Sequence, residues 1–269
     1  MTDLETGQRR AIGTRQHHGH HHDHGHEHRH DDHDHAHAHA RHHGTTVTLE
    51  QRVLAKNDRQ AERNRGWLEA KEILALNLMS SPGAGKTTLL ERTISTFGRD
   101  TPISVIEGDQ DTAVDAERIR RAGCRVVQVN TGTGCHLDAA MLAAALNQLS
   151  PPSNSVVMIE NVGNLVCPAL FDLGEQAKVV ILSVTEGDDK PLKYPHMFRA
   201  ADLLILNKID LLPHVNFDVG LCMTHARRIN PRIECLQLSA TTGQGIDAWC
   251  DWLWQRVKPD ALAGPALAW

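Results

Sequence analysis

Seven apolar runs alternate with amphipathic segments over most of this chain. The runs are rich in Val, Ile and Leu without polar alternation, a pattern typical of strands covered on both faces. They predict strands at residues 73–79, 103–107, 125–129, 155–160, 178–184, 202–206 and 233–238. The segments between them predict helices near residues 87–97, 113–122, 136–149, 193–200, 217–229 and 246–257. Such alternation predicts an α/β fold, a mainly parallel β-sheet flanked by helices, with ligands at the carboxyl ends of the strands.

The regions outside this pattern predict further parts of the chain. Residues 1–46 are polar and rich in His, with almost no apolar content to offset the entropy of ordering, so they predict a disordered segment. Residues 47–70 predict an amphipathic helical arm that packs along the domain or, alternatively, offers a face to a partner. The globular domain then covers residues 71–258, and residues 259–269 predict a flexible tail.

Composition and charge exclude several classes of protein. The formal net charge of −5 gives no basic field for nucleic acid. Six cysteines occur without a C-x-x-C pair, which argues against a disulfide framework. No apolar run reaches the roughly 18 residues of a membrane span, and the N-terminus lacks an apolar signal core. These features predict a cytoplasmic protein that binds neither nucleic acid nor membrane.

The stretch from Ser80 to Thr88 reads SSPGAGKTT and lies between a predicted strand and a predicted helix. This is the context of a phosphate-binding P-loop, whose backbone amides and helix N-terminus face phosphate oxygens. Lys86 would reach the β- and γ-phosphates, and the Thr87 hydroxyl would ligate Mg²⁺. Ser80 departs from the pattern, which has glycine there, and Gly-Lys-Thr turns also occur by chance. The predicted nucleotide-binding residues are Gly83, Ala84, Gly85, Lys86, Thr87 and Thr88.

Two later motifs indicate that the base is guanine. Asn207-Lys208-Ile209-Asp210 follows a predicted strand and fits the N-K-x-D pattern, in which the Asp carboxylate accepts from two guanine N–H groups. The alternative is that Asp210 caps a helix. After the last strand, Ser239, Ala240 and Thr241 resemble the loop whose Ala amide meets guanine O6. Together with the P-loop these motifs predict GTP as the ligand.

Acidic residues at two strand ends are candidates to hold Mg²⁺ or the attacking water. Glu160 ends the strand predicted at 155–160, and Asp109 follows the strand predicted at 103–107. Asp109 is the preferred partner because it lies nearest the strand end, in a loop that can respond to the γ-phosphate. Asp111 is interpreted as a helix cap.

The N-terminal segment holds fifteen of the nineteen histidines, within residues 17–43. Neutral imidazoles suit Ni²⁺, Zn²⁺, Cu²⁺ and Co²⁺, so the tract predicts a site for several ions. An expression tag is the alternative, although tags are usually uniform runs. The predicted ligands are His20, His22, His24, His26, His28, His30, His33, His35, His37 and His39.

A second candidate metal site combines Cys135, His136 and Cys167. Both parts follow predicted strands, so they can converge at the same edge of the sheet. Two thiolates and an imidazole bind Ni²⁺ or Zn²⁺ well, and three ligands leave a position open for transfer or for a second subunit. The alternative is that the cysteines are small buried apolar residues.

Several motifs in order resemble the HypB family of GTPases, which incorporate nickel into hydrogenase. The matching stretches are SSPGAGKTT, EGDQDTAVDAERI, GCHLDA, IENVGNLVCP, TEGDDKPLKYP, NKIDLLP and SAT. The resemblance implies a P-loop GTPase of the SIMIBI class that forms a homodimer and binds metal at the dimer interface through Cys135, His136 and Cys167. It also implies that Lys193 reaches across the dimer toward the nucleotide. The C-x-x-C-G-C nickel site of some members is missing here; the chain resembles the members with a histidine-rich N-terminus.

These observations predict a Mg²⁺-dependent GTPase that acts as a nickel metallochaperone, with Zn²⁺ possible at the same site. The catalytic residues would be Lys86, Thr87, Asp109, Glu160 and Lys193. The partners implied are a second copy, the hydrogenase large-subunit precursor and a companion nickel-maturation protein. One alternative is a nickel-storage protein with a vestigial GTPase. Another is a related GTPase that serves urease, against which the GNLVCP and GCHLDA motifs argue.

Overall fold

The computed structural model describes residues 34–109, 114–132 and 136–257, with side chains from residue 51 onward except that of Val114. The chain divides into two units, residues 1–46 and 47–269, and every strand described belongs to the second. None of the helices in the described ranges is both long enough and apolar enough to cross a membrane.

Seven strands and eight α-helices alternate along the described chain. The strands are β1 Leu74–Ser80, β2 Ile103–Asp109, β3 Arg125–Asn130, β4 Val156–Glu160, β5 Ala177–Ser183, β6 Leu203–Asn207 and β7 Glu234–Gln237. The helices are α1 Asp34–Ala70, α2 Lys86–Thr96, α3 Val114–Arg121, α4 Ala139–Leu149, α5 Lys190–Lys193, α6 Pro195–Ala200, α7 Val219–Ile229 and α8 Ile246–Val257. Short 3₁₀ helices cover Phe97–Arg99, Cys167–Ala169 and Ile209–His214.

The strands form one sheet in the order β3-β2-β4-β1-β5-β6-β7, and every pair is parallel. The predicted α/β fold with a parallel sheet flanked by helices is therefore confirmed. β1 lies in the middle, between β4 and β5, where the order of the strands reverses direction. A ligand crevice is expected at that point, outside the carboxyl ends of the strands.

Three helices differ from the sequence-based expectation. The helix predicted at 193–200 is two helices separated at Tyr194, since Pro195 disfavours helical backbone in the residue before it. α4 begins at Ala139 rather than 136, because the Asp138 side chain accepts from Met141 N at 2.7 Å and caps the helix. α1 begins at Asp34 rather than 47, in a stretch where every second residue is alanine, the strongest helix former.

Apolar side chains cover both faces of the sheet. On one face, Leu76 and Leu78 of β1 share a cluster with residues of α2 and α8, including the fully buried Trp249. On the other face, Ile159 of β4 shares a cluster with residues of α1 and α4. A third cluster joins β5 and β6 to α6 and α7. This packing fixes the strands, and with them the residues at their carboxyl ends.

Candidate functional site

The turn after β1 has the backbone of a phosphate-binding loop. Gly83 and Gly85 have φ angles of 73° and 97°, in the left-handed region that favours glycine. A Cβ on Gly85 would lie 2.5 Å from Asn207 Nδ2, so this glycine also permits close contact with the loop after β6. α2 starts at Lys86, which brings the amides and the positive end of a helix dipole to the same place.

Lys86 is buried at the start of α2, and its Nζ donates to Ser80 Oγ at 3.0 Å. Burial lowers the pKa of this lysine, and the nearby Glu160 carboxylate opposes the shift. Ser80 occupies the position where the usual pattern has a glycine. Its hydroxyl therefore holds the Lys86 ammonium through a hydrogen bond that a glycine could not accept. From the motif alone, Ser80 is only a departure from the usual pattern.

Thr87 and Glu160 meet at the centre of the site. Thr87 Oγ1 donates to Glu160 Oε1 at 2.8 Å. The other carboxylate oxygen of Glu160 is buried without a hydrogen-bond partner in the described part of the chain. Burial raises the Glu160 pKa, while Lys86 and the Thr87 hydroxyl lower it. A hydroxyl beside a carboxylate with an unused oxygen is the oxygen donor set that Mg²⁺ takes, so the residues present fit this ion.

A cleft of about 530 Å³ opens over this group. It is lined by Pro82, Gly83, Ala84, Gly85, Lys86, Thr87, Thr88, Asp109, Asp115, Arg118, Glu160, Val162, Gly163 and Lys208. All six predicted P-loop residues and both predicted acidic residues thus share one cavity. Lys193, Asn207, Asp210 and Ser239–Thr241 are not among its lining residues.

Glu107 is a buried acidic residue that sequence analysis passed over. It lies on β2 in register with Glu160 on β4, so the two carboxylates are side by side on neighbouring parallel strands. Burial, together with Glu160 and Asp109, raises the Glu107 pKa to about 8, and its Oε2 has no partner among the described residues. The only sequence feature that could have indicated Glu107 is its position as a single charged residue at the end of the apolar run 103–107.

Arg118 on α3 is the other cleft residue that the sequence did not reveal. Its guanidinium donates to Glu91 Oε2 at 2.6 Å and to Thr88 Oγ1 at 3.4 Å. In the sequence, Arg118 cannot be told apart from the neighbouring arginines of α3. It reaches the cleft because the fold packs α3 beside α2. It adds a positive charge at the phosphate end of the cleft.

The Asn207-Lys208 pair joins the loop after β6 to the phosphate-binding turn. Asn207 Nδ2 donates to Ala84 O at 2.9 Å, and Lys208 Nζ donates to Gly83 O at 2.7 Å. Lys208 adopts a left-handed φ of 63°, which turns its stem toward the turn. These two hydrogen bonds to adjacent backbone carbonyls connect the predicted base-binding motif to the predicted phosphate-binding turn.

The rest of the predicted base pocket lies beside this pair. Asp210 Oδ1 is buried without a partner in the described ranges, as an acceptor reserved for a ligand would be. The Ala240 amide donates to Asn207 Oδ1 at 3.1 Å. Arg92 of α2 donates to the carbonyls of Ala240 and Thr241, at 3.1 and 2.7 Å, and fixes that loop. Ser239 is buried and accepts from the Thr242 amide.

Lys193 lies at the end of α5, exposed, and its Nζ pairs with Asp189 Oδ2 at 2.7 Å. The hydrogen bond that Lys193 donates to the Asp189 carboxylate raises the Lys193 pKa. The structure does not bring Lys193 to the cleft of its own chain, and its contact with the nucleotide of a second copy stays a prediction.

Two segments carry the candidate transition-metal ligands: the His136 segment, residues 136–139, and the Cys167 segment, residues 167–173. The His136 ring stacks on Phe171 with centroids 3.9 Å apart, so the segments converge. Burial lowers the pKa of His136, which favours the neutral imidazole that metals bind. Cys135 lies outside the described residues, and within them no group of three or more His, Cys, Asp or Glu side chains is placed to hold an ion.

The histidine tract is largely beyond the described chain. His20 through His33 of the predicted ligands lie outside the described residues, as do Asp111 and the tail from 258. His35, His37 and His39 fall within α1, where only the backbone is described. The tract's metal binding stays a prediction.

Comparison with known proteins places this geometry among nucleotide-binding domains. Residues 74–237 match the family model described as the CobW/HypB/UreG nucleotide-binding domain. The hydrogenase maturation factor HypB of Azotobacter chroococcum is 56% identical over 228 residues, which span 82% of this chain and 75% of that protein.

Solved structures give the same result in three dimensions. The crystal structure of the hydrogenase maturation factor HypB from Archaeoglobus fulgidus is 43% identical, with a TM-score of 0.71 over 76% of this chain and all of that chain. The structure of HypB from Helicobacter pylori in complex with nickel is 35% identical, with a TM-score of 0.72 over 79% of this chain and all of that chain.

Proposed function

The chain belongs to the HypB family of CobW/HypB/UreG nucleotide-binding proteins, and from this premise we propose that it is a GTP-hydrolysing nickel metallochaperone. It uses GTP turnover to help insert nickel into the [NiFe]-hydrogenase precursor during maturation. It acts in the cytoplasm as a homodimer, with a companion nickel-maturation protein. The histidine tract stores nickel for delivery.

The contact between base and phosphate motifs carries the GTPase part of this proposal. Asn207 and Lys208 reach the carbonyls of Ala84 and Gly83, so Asp210 is held at a fixed distance from the phosphate-binding turn. Its carboxylate, whose Oδ1 is buried without a partner among the described residues, suits the two adjacent N–H donors of guanine, an edge that adenine does not present. A nucleotide that combines guanine with a polyphosphate would satisfy both ends of this arrangement.

Hydrolysis would rest on positioning and charge stabilisation, because phosphoryl transfer to water needs little covalent chemistry from the protein. Lys86 and the turn amides neutralise charge that develops on the phosphate oxygens. Thr87, Glu160 and Asp109 would hold Mg²⁺, which when bound shields the phosphates. Lys193 of the partner copy supplies a further positive charge to the cleft. Turnover is slow without it.

The nickel part rests on the convergence of the His136 and Cys167 segments through the stacking of His136 on Phe171. Cys135, His136 and Cys167 would take Ni²⁺, or Zn²⁺ at the same site. The relative from Helicobacter pylori was solved with nickel. His136 and Cys167 are half-exposed on connecting segments, which suits an ion that must be handed on, since a closed structural site would retain it.

A hydrolysis assay tests the enzyme directly. The full chain should release phosphate from GTP in the presence of Mg²⁺, and from ATP at a rate about two orders of magnitude or more lower, because adenine cannot satisfy Asp210. Chelation of Mg²⁺ should stop both reactions. Equal rates with GTP and ATP, or full activity in excess chelator, would contradict the proposal. Metal titration of the same preparation, with and without GTP, tests the nickel function.

A further inference from the structure

Three buried polar side chains between the cleft and the metal segments are hydrogen-bonded in series. Asn161, Asn77 and Glu175 are 1%, 0% and 6% exposed. Asn161 Nδ2 donates to Asn77 Oδ1 at 3.2 Å, and Asn77 Nδ2 donates to Glu175 Oε1 at 3.0 Å. Burying three such groups is costly unless each is satisfied, and apolar side chains would fill the space without that requirement. The series therefore calls for an explanation beyond packing.

At one end the series begins beside the nucleotide cleft. Asn161 directly follows Glu160, the residue that accepts from Thr87. The Asn161 amide donates to Leu78 O at 3.1 Å, which ties this peptide to β1. Its side-chain oxygen accepts from the amide of Leu137 at 3.2 Å, in the His136 segment. The residue after β4 is thus hydrogen-bonded directly to the residue after His136.

At the other end the series reaches the Cys167 segment. Glu175 Oε2 accepts from the amide of Leu173 at 2.7 Å. Leu173 lies two residues after Phe171, on which the His136 ring stacks. Both carboxylate oxygens of Glu175 act as acceptors, one toward Asn77 and one toward Leu173, so the direction of every hydrogen bond in the series is fixed.

α1 joins the two segments on their other side. Asn64 Nδ2 donates to Ala139 O at 2.8 Å and to Leu173 O at 2.9 Å, one carbonyl from each segment. Asn57 repeats the bridge: its oxygen accepts from the Ala139 amide and its amide donates to Asp172 O. Both asparagines therefore tie the two segments to each other through α1.

We propose that Asn161, Asn77 and Glu175 form a relay that makes the geometry of the metal site depend on the nucleotide in the cleft. They are positioning residues, since none of them lines the cleft or is among the proposed metal ligands. This inference rests on the proposed function, because it needs GTP at the cleft and nickel at Cys135, His136 and Cys167. What it adds is the physical connection between the two sites, carried by named hydrogen bonds rather than by proximity.

The test measures nickel affinity in two nucleotide states. Full-length protein is titrated with Ni²⁺ alone, with GDP, and with a non-hydrolysable GTP analogue. Thiolate-to-nickel charge-transfer absorption reports the cysteine site, because the imidazoles of the tract do not give this signal. The parent should show a ratio of nickel dissociation constants between the two nucleotide states of about fivefold or more, a usual size for coupled sites.

Glu175→Gln is the sharpest break in the relay. It keeps the shape of the side chain but replaces one of two acceptor oxygens by an NH₂ group, so one of the two hydrogen bonds is lost. The ratio should fall to within about twofold of one, while nucleotide affinity stays within about threefold of the parent. Asn77→Ala, which cuts the middle of the relay, should give the same loss. The double variant should lose no more than either single variant, as expected for one series.

Asn230→Ala is the matched control. The Asn230 side chain also donates to several backbone carbonyls, among them Ala201 O at 2.7 Å, but between α6 and α7. It should lower thermal stability without changing the ratio. In the parent, hydrogen exchange adds a readout that needs no substitution. The amides of Leu137 and Leu173 should change their exchange rates together on binding of the GTP analogue, whereas that of Leu221, capped by Asp218, should not.

The outcomes separate the relay from the proposed function. If the parent shows the ratio and the Glu175 and Asn77 variants keep it, the relay is overturned and the metallochaperone proposal stands. If the parent itself binds nickel equally in both nucleotide states, the nucleotide-controlled switch fails, and the relay with it. Should the variants not fold, unchanged exchange at Leu137 and Leu173 in the parent would overturn the relay by itself.

Discussion

The nucleotide cleft and the two metal segments differ in how deeply one chain buries their functional side chains. In the cleft, Lys86, Thr87 and Glu160 are buried and hydrogen-bonded to one another or to β1, and rigid strand ends support them. In the metal segments, His136 and Cys167 are only half-buried and lie on connections between elements. Val166 and Leu170, on either side of the 3₁₀ turn at Cys167, are 50% and 52% exposed.

This difference indicates what each region has to do. A site that must stabilise developing charge gains from fixed, desolvated groups, because no reorganisation is then needed during the reaction. A site that must release its ion gains from ligands that can separate. Exposed apolar residues beside Cys167 also suit contact with a second copy, which would complete the metal site from outside.

Lys86→Ala should have the largest effect on the cleft. Removal of the buried ammonium leaves the phosphate charge without its fixed partner, so GTP turnover should fall by about 10²–10³-fold or more. Phosphate release measures this. Nickel binding by residues 17–43 should not change. Lys56→Ala, at an exposed position on α1, is the matched control. Hydrolysis at the parent rate in Lys86→Ala would show that the turn after β1 does not bind the transferred phosphate.

Asp210→Asn should change which base the cleft accepts. It loses a charge-assisted contact and leaves guanine donors unpaired, which should weaken GTP binding by about 2–4 kcal/mol. Xanthosine triphosphate should then bind better than GTP, because the new amide matches the 2-oxo group of xanthine. Competition binding with both nucleotides gives the measurement, and Asp251→Asn on the exposed side of α8 serves as control. Unaltered GTP affinity would remove Asp210 from the base pocket.

Glu107→Gln should reveal the cost of two buried carboxylates side by side. The folded-state pKa of Glu107 is about 8, above the 4.5 of a free glutamate, so the folded state holds a proton that the unfolded state has released. The free energy of unfolding should therefore fall as pH rises from about 4.5 to 8. Denaturant titration of metal-free protein should show that Glu107→Gln removes part of this fall, since each unit of the pKa shift corresponds to about 1.4 kcal/mol. The exposed Glu117→Gln should leave the slope unchanged, and a parent whose stability rises over this range would contradict the prediction.

Lys193→Ala should have the smallest effect, and only in the dimer. GTP affinity of the isolated subunit should be unchanged, whereas turnover at concentrations that favour dimers should drop by roughly tenfold. A mixture with Lys86→Ala should recover activity, since the Lys193→Ala subunit keeps its own cleft and receives Lys193 from its partner. Absence of recovery in mixed dimers would mean that Lys193 acts within its own chain or not at all.

The sequence predicted the two regions unequally well, for physical reasons. Strand and helix periodicity placed the sheet to within a few residues, because buried parallel strands must be continuously apolar. The P-loop and the Asn207–Asp210 motif were visible since their chemistry is local in the chain. Glu107 beside Glu160 depends on pairing between β2 and β4, and no local pattern encodes that register.

The relay of Asn77, Asn161 and Glu175 was hidden for the same reason. Its members are separated by 84 and 98 residues along the chain and meet only in the folded sheet. Asn77 lies in the middle of β1, Asn161 directly follows β4 and Glu175 precedes β5, and each alone reads as an ordinary polar residue. The extension of α1 to Asp34 was missed because histidine spacing dominated that stretch, although its alanines favour helix.

The proposal that nickel storage in the tract is separate from nickel delivery at the cysteine site is tested most directly by nickel titration, with calorimetry and light scattering, of two complementary variants. Deletion of residues 17–43 should remove most of the bound nickel but keep one tight site, nucleotide-dependent dimerisation and GTP hydrolysis. Occupancy of the tract should fall below about pH 6.5, where its imidazoles become protonated. Cys135→Ala with Cys167→Ala should do the reverse, with Cys124→Ala and Cys235→Ala as the matched pair of cysteine controls. If deletion of the tract alone erased the tight site, or if the loss of Cys135 and Cys167 left nucleotide-dependent nickel affinity intact, separate storage and delivery sites on one GTPase would be contradicted.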